Sequence, residues 1–181
     1  MSNPGEGFEL VGTRTLLRTK FLVTERIHLQ GPDGHPIDRV VVRHPGAVGV
    51  VPLDGGDVIL IEQYRPAIGT SLLEIPAGKV DAVDEPRIET ARRELVEEVG
   101  YRARQIEHLC DYYASPGFTD ELLSVFLATG LEPVPAAPMG IEEQTARIER
   151  MPFGRALDLI SEGRISDGKT IIALFAAARM M

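Results

Sequence analysis

The stretch Gly78-Lys79-Val80-Asp81-Ala82-Val83-Asp84-Glu85-Pro86-Arg87-Ile88-Glu89-Thr90-Ala91-Arg92-Arg93-Glu94-Leu95-Val96-Glu97-Glu98-Val99-Gly100-Tyr101 decides the fold. Ile88, Ala91, Leu95 and Val99 recur at spacings of three and four, which on a helix makes one apolar stripe. Asp84-Glu85-Pro86 supplies a start signal and Gly100 a stop. At about 3.6 residues per turn, Glu94, Glu97 and Glu98 project from one side of such a helix. Glu94 and Glu98 lie beside the stripe and Glu97 further round toward solvent, so packing of the stripe holds the carboxylates in place.

Three crowded carboxylates repel one another, and a merely structural helix pairs such groups with Lys or Arg four residues away. Two readings stay open on the helix alone. One is a divalent-cation site, where hard oxygen ligands suit Mg²⁺ or Mn²⁺ rather than zinc. The other is a solvated acidic face with Arg92 and Arg93 as its partners.

Outward from the helix, the remaining chain bounds the answer. Its 181 residues suit one ordinary domain with room for a small appendage. No run approaches the ~18 apolar residues that span a membrane. Residues Met1 to Leu10 show no basic segment followed by an apolar one, so no signal peptide is expected and the location is read as cytoplasmic. A net charge of −8 argues against general nucleic-acid binding, while leaving small phosphorylated substrates open. The single cysteine, Cys110, excludes an internal disulfide and reads as a buried, inert thiol. His28, His35, His44 and His108 show no ligand spacing.

Residues 20–30 alternate, with Phe21, Val23, Ile27 and Leu29 on one side, and a Gly31-Pro32-Asp33-Gly34 turn leads into Ile37–Val42, a hairpin pattern. The runs Ala47–Leu53 and Val58–Glu62 read as a second, more deeply buried hairpin. Strands are expected at 106–115, 121–128 and 147–152, with a Pro-rich loop at 132–140. A helix is expected from Pro152-Phe153 through Glu162, with Ala156, Leu157 and Ile160 inward, and another from Lys169 to Met181. Strands interrupted by helices on this scale give an α/β (α+β) class with a mixed sheet between helical layers.

Gly78, Glu85 and Arg93-Glu94-Leu95-Val96-Glu97-Glu98-Val99-Gly100 resemble the Nudix box, the signature of hydrolases that cleave nucleoside diphosphates linked to another moiety. Six residues separate Gly78 from Glu85, one more than is usual in that family, so either Glu85 or Asp84 fills the first acidic position. Gln63-Tyr64-Arg65 followed by Leu73-Glu74-Ile75-Pro76-Ala77-Gly78-Lys79, and Ser115-Pro116-Gly117-Phe118 sixteen residues past Gly100 at its proline, are similar to the ADP-ribose pyrophosphatase branch. So is the closing segment Arg164–Thr170. The resemblance covers most of the chain from about residue 40 onward.

The resemblance implies a Nudix αβα sandwich over 46–181, preceded by N-terminal antiparallel strands over 1–45 that build a homodimer. It implies metal-dependent hydrolysis of ADP-ribose to AMP and ribose 5-phosphate. The implied cofactor is Mg²⁺, with Mn²⁺ as the alternative, held by Glu94, Glu97, Glu98 and the carbonyl of Ala77. Arg65 binds substrate, as do Pro116, Gly117 and Phe118; Phe118 is expected to pack rather than stack on a base. Glu97 and Glu98 are catalytic, with Glu142 or Glu143 assisting the attacking water. Alternatives are another nucleoside diphosphate derivative (GDP-mannose or a dinucleotide), or a non-hydrolytic nucleotide-sugar sensor. The partner expected is a small nucleoside diphosphate sugar, with neither nucleic acid nor membrane.

Overall fold

Burial on both faces of the central strands organises the larger part of the computed structural model, which describes residues 7–80, 85–136 and 145–181. In chain order the elements are β1 (Glu9–Arg18), β2 (Val23–Gln30), β3 (Pro36–Arg43), β4 (Ala47–Asp54), β5 (Asp57–Arg65), β6 (Thr70–Glu74) and β7 (Ala77–Lys79). They continue with α1 (Arg87–Val99), β8 (Tyr101–Tyr113), β9 (Leu122–Pro133), β10 (Arg147–Pro152), α2 (Phe153–Ser161) and α3 (Gly168–Ala178). They form two units. One ends at Gly46 and takes in Tyr113–Leu122; the other comprises Ala47–Tyr112 and Leu123–Met181.

In the larger unit a mixed sheet runs in the order β10-β5-β4-β9-β8, with β6 on β5 and β7 on β4. The β4–β9 pair is parallel, and β5 is antiparallel to β4, β6 and β10. Side chains alternate across a strand, so Val48, Val50, Ile59, Ile61, Phe126 and Ala128 face one layer, where Ala91, Leu95 and Val99 of α1 pack. Val51, Val58, Leu60, Val125 and Leu127 face the other, against Phe153, Ala156 and Leu159 of α2 and Ala173, Leu174 and Ala177 of α3. Burial on both sides is why these strands read as unbroken apolar runs rather than as alternating ones. The arrangement is the expected αβα sandwich with a mixed sheet.

Helix α1 follows its stripe: Ala91, Leu95 and Val99 are buried, and Ile88 packs against them. Each fully buried side chain of leucine size contributes about 1.5–3 kcal/mol. The helix starts behind Pro86 without a side-chain cap on its amides. It stops at Gly100, whose left-handed backbone (φ 69°) turns its N–H back to the carbonyls of Leu95 and Val96.

Several boundaries differ from expectation. β8 starts directly after Gly100, and β9 runs on through Pro133 into what reads as a Pro-rich loop, where Val134 N–H donates to Gly100 O at 2.8 Å. In α2 the fully buried positions are Phe153, Ala156 and Leu159, with Leu157 and Ile160 only partly covered. The face turns because Phe153 enters the core at the first residue of the helix. α3 ends at Ala178, short of Met181. Strands β1, β6 and β7 carry no clear periodicity and were not foreseen as separate strands.

The smaller unit is a three-stranded antiparallel sheet, β1-β2-β3, with the 113–122 turn. Val42 N–H donates to Phe118 O at 2.7 Å, and His44 N–H to an Asp120 carboxylate oxygen at 2.9 Å. Arg43 links Glu25 (2.9 Å) and Asp120 (3.2 Å). Among the described residues no helix is long and apolar enough to cross a membrane.

Candidate functional site

The site of the larger unit is built on residues 74–79, which are tied to four other elements of the fold, β5, α3, β4 and α1. Glu74, fully buried, accepts two hydrogen bonds from the Arg65 guanidinium, Nε at 2.8 Å and Nη2 at 2.6 Å. It also receives the ammonium of Lys169. Ile75 N–H donates to Thr170 Oγ1 at 2.9 Å, and Pro76 O accepts from Val50 N–H at 2.9 Å. Ala77 N–H donates to Glu98 Oε2 at 2.8 Å. Lys79 O accepts from Arg93 Nη2 at 3.4 Å.

Gly78 is the closest of these contacts. A Cβ built there would lie 2.0 Å from Glu94 Oε1 and 2.1 Å from its carboxyl carbon, so only a residue without a side chain lets the carboxylate lie on the backbone. Glu94 is accordingly buried, while Glu97 and Glu98 are partly covered. Arg93 Nη1 sits between two of the acids, 2.8 Å from Glu94 Oε1 and 3.1 Å from Glu97 Oε2. Arg92 instead lies near Glu89 at 3.6 Å. Half of the alternative reading of this helix therefore holds, since Arg93 does partner the acidic face. Glu85 Oε2 accepts from Thr90 Oγ1 at 3.0 Å and lies 4.0 Å from Arg93 Nη2.

β5 delivers Arg65 at its end. The pairing of Ile61 with Glu74 puts Ile61, Gln63, Arg65 and Glu74 on the sheet face against which α1 packs. The Glu74 hydrogen bonds hold the Arg65 guanidinium more firmly protonated than usual, against the opposing effect of burial; the charges of Glu74, Glu98 and Asp167 add to this. Arg65 thus faces the same electrostatic environment as the carboxylate at the end of α1. Its side chain remains 38% exposed, and among the described residues Nη1 has no acceptor. That is the arrangement of a guanidinium fork held from behind with one edge open to an anion.

The oxygens of Glu94, Glu97 and Glu98 and the Ala77 carbonyl are the candidate donors for a divalent cation. Among the described residues no three His, Cys, Asp or Glu groups converge as a ready-made cage. The chemistry fits nonetheless, because the candidate ligands are all oxygens and the cationic Arg93 Nη1 already bridges two of the carboxylates. The side-chain oxygen of Gln63, on the same face, is buried without a donor, leaving a polar acceptor for a water or ligand.

Glu142, Glu143 and Asp84 lie outside the described residues. Pro116, Gly117 and Phe118 belong to the smaller unit, in a turn closed by Phe118 N–H to Ser115 O at 3.1 Å. Phe118 does not pack as expected, since it is 54% exposed, although its backbone is held by β3. The four histidines are scattered, each near its own acid: Asp38, Asp33, Glu121 and Asp111 in order. Cys110 is partly buried, and desolvation with the adjacent Asp111 charge raises its thiol pKa, as an inert thiol requires.

Sequence reasoning missed the roles of Glu74, Asp167 and Lys169. A signal was present: Glu74 interrupts the apolar run Leu72-Leu73 … Ile75, and a carboxylate inside a buried strand demands cations from elsewhere in the chain.

Comparison with known proteins matches the NUDIX domain over residues 43–174. A methanol dehydrogenase activator of Bacillus methanolicus is 40% identical over 79% of this chain and 77% of its own length. An ADP-ribose pyrophosphatase of Mycobacterium tuberculosis is 36% identical over 93% of this chain and 82% of its own. Among solved structures, an ADP compounds hydrolase superposes with a TM-score of 0.83 at 24% identity, covering 99% of this chain and 96% of that one.

Proposed function

The chain belongs to the NUDIX domain family and is a hydrolase, and from that premise we propose that it is a metal-dependent enzyme that splits the pyrophosphate bond of ADP-ribose into AMP and ribose 5-phosphate. The observation that carries the reading is the convergence, on residues 74–79, of the α1 carboxylates and the open-edged Arg65. Two of the relatives have similar identity and different names, so the choice of ADP-ribose rests on the Leu73–Lys79 and Ser115–Phe118 motifs together with that site.

Glu94, Glu97, Glu98 and the Ala77 carbonyl would hold Mg²⁺, with Mn²⁺ as a substitute. When bound, such a cation neutralises diphosphate charge and lowers the pKa of the attacking water. Arg65 grips a phosphate oxygen through its open edge. The Ala77 amide orients Glu98, and Gly78 lets Glu94 approach the backbone. Water adds to phosphorus as the bridging oxygen leaves, and the water's proton passes to Glu142 or Glu143. Because phosphoryl transfer relies on positioning and electrostatics, the rigid backing of these groups is the main contribution of the fold.

The test is AMP release from ADP-ribose with and without Mg²⁺, run beside GDP-mannose and a diadenosine polyphosphate. Rapid ADP-ribose cleavage, abolished by chelation, is the expected result. Preference for another compound keeps the chemistry and removes the substrate, whereas binding without turnover would favour a sensor.

Residues 1–45 are proposed to pair with a second copy. Leu10, Val11, Leu16 and Leu17 of β1 are all exposed, a large apolar allotment for one strand. Sizing in solution is expected to give a homodimer; a clean monomer at assay concentration ends this part of the reading. A cytoplasmic setting accords with one unpaired cysteine.

A further inference from the structure

We propose that Lys169, in the first turn of α3, is a positioning residue for substrate binding, acting through Glu74 to set the attitude of Arg65. The proposal deepens the functional reading above and rests on it for the identity of the substrate.

The geometry is a closed circuit. Glu74 Oε1 accepts from Arg65 Nε at 2.8 Å, and Oε2 is shared between Arg65 Nη2 at 2.6 Å and Lys169 Nζ. Lys169 Nζ also lies 3.0 Å from Asp167 Oδ2. The same Asp167 oxygen caps α3, accepting from Thr170 N–H at 2.9 Å and from its hydroxyl at 2.6 Å. Thr170 Oγ1 then receives Ile75 N–H at 2.9 Å, which returns the circuit to the residue beside Glu74.

Charge makes the second cation informative. Arg65 alone would neutralise Glu74. Lys169 brings a second positive charge, and Asp167 balances it, so that the fully buried Glu74 carboxylate is one of two anions matched by two cations. A buried carboxylate is stable only when its lone pairs are taken. Lys169 occupies Oε2 from the α3 side and so fixes the plane of the carboxylate. A two-pronged guanidinium must lie in register with that plane, so fixing it aims the remaining edge of Arg65. Lys169 has no need to touch the substrate, and its side chain is largely covered.

The experiment compares Lys169→Met, which keeps most of the stem and removes the charge, with Lys169→Arg. Steady-state kinetics on ADP-ribose at saturating Mg²⁺ are expected to show KM raised about tenfold in Lys169→Met with kcat within about threefold, because one charge-assisted contact to the ground state is loosened. Lys169→Arg should recover much of the loss. In an Arg65→Met background, Lys169→Met should add little to KM, since both act through one guanidinium.

Calorimetric titration with inorganic pyrophosphate, which needs no turnover, should show the same weakening. A lowered melting temperature with unchanged KM and unchanged pyrophosphate affinity would overturn the proposal and leave Lys169 as a brace. Full additivity with Arg65→Met would overturn it equally. If ADP-ribose proves not to be the substrate, the functional reading fails by itself, and the pyrophosphate titration still decides for or against Lys169.

Discussion

Glu98→Gln is expected to lower kcat at least ~100-fold, the scale set by losing one dominant electrostatic group, while the fold survives. The substitution isolates charge from shape. A glutamine keeps an oxygen able to accept the Ala77 N–H that Glu98 Oε2 takes at 2.8 Å, so residues 74–79 keep their anchor on α1. What disappears is a negative charge that belongs to the proposed cation site and lies within electrostatic reach of Arg65. Turnover measured at saturating Mg²⁺, beside a thermal melt, separates the two effects. Near-normal kcat in a well-folded variant would remove Glu98 from the catalytic set.

Gly78→Ala tests the same site from the backbone side. The added Cβ meets Glu94 Oε1 at 2.0 Å and cannot be relieved by the main chain, because Ala77 and Lys79 on either side are held by Glu98 and Arg93. Glu94 must therefore swing away, leaving its 2.8 Å contact with Arg93 and its buried position. A carboxylate displaced by more than an ångström from its working position is expected to lower kcat about 100-fold. The stability cost should be near 1–3 kcal/mol, as for other overpacked interiors. Turnover and a melt measure these two quantities, and a Mg²⁺ titration shows whether metal dependence changes with them. Retention of both turnover and wild-type Mg²⁺ dependence would show that Glu94 has no need of this close approach.

What was legible in the sequence was whatever repeats locally. The stripe Ile88-Ala91-Leu95-Val99 foretold α1 and its stop at Gly100, and the unbroken apolar runs foretold β4 and β5. The candidate carboxylates were named from the motif and lie on α1, and Arg65 does stand at a strand end. Pairings between distant parts of the chain were not legible. Glu74 and Lys169 lie 95 residues apart, and no local period connects them. Strands β6 and β7 are too short to show alternation. The inward face of α2 was misjudged because Phe153, at the very start of the helix, turns the face toward Leu159. Phe118 was expected to pack rather than to stack on a base, yet it is 54% exposed. The turn closes through backbone hydrogen bonds, which need no burial of the ring.

The ties along residues 74–79 make residue count a dimension of the site. Six consecutive positions meet partners on β5, α3, β4 and α1, each through its own partner residue. Side chains there can drift within the limits of size, whereas adding or losing one residue would put every later partner out of phase. The chain's one departure from the family spacing, the extra residue between Gly78 and Glu85, can be taken up after Lys79, downstream of the last tie. An inserted residue is thus expected to be better tolerated after Lys79 than within 74–79, where it would shift the measured stretch off its partners.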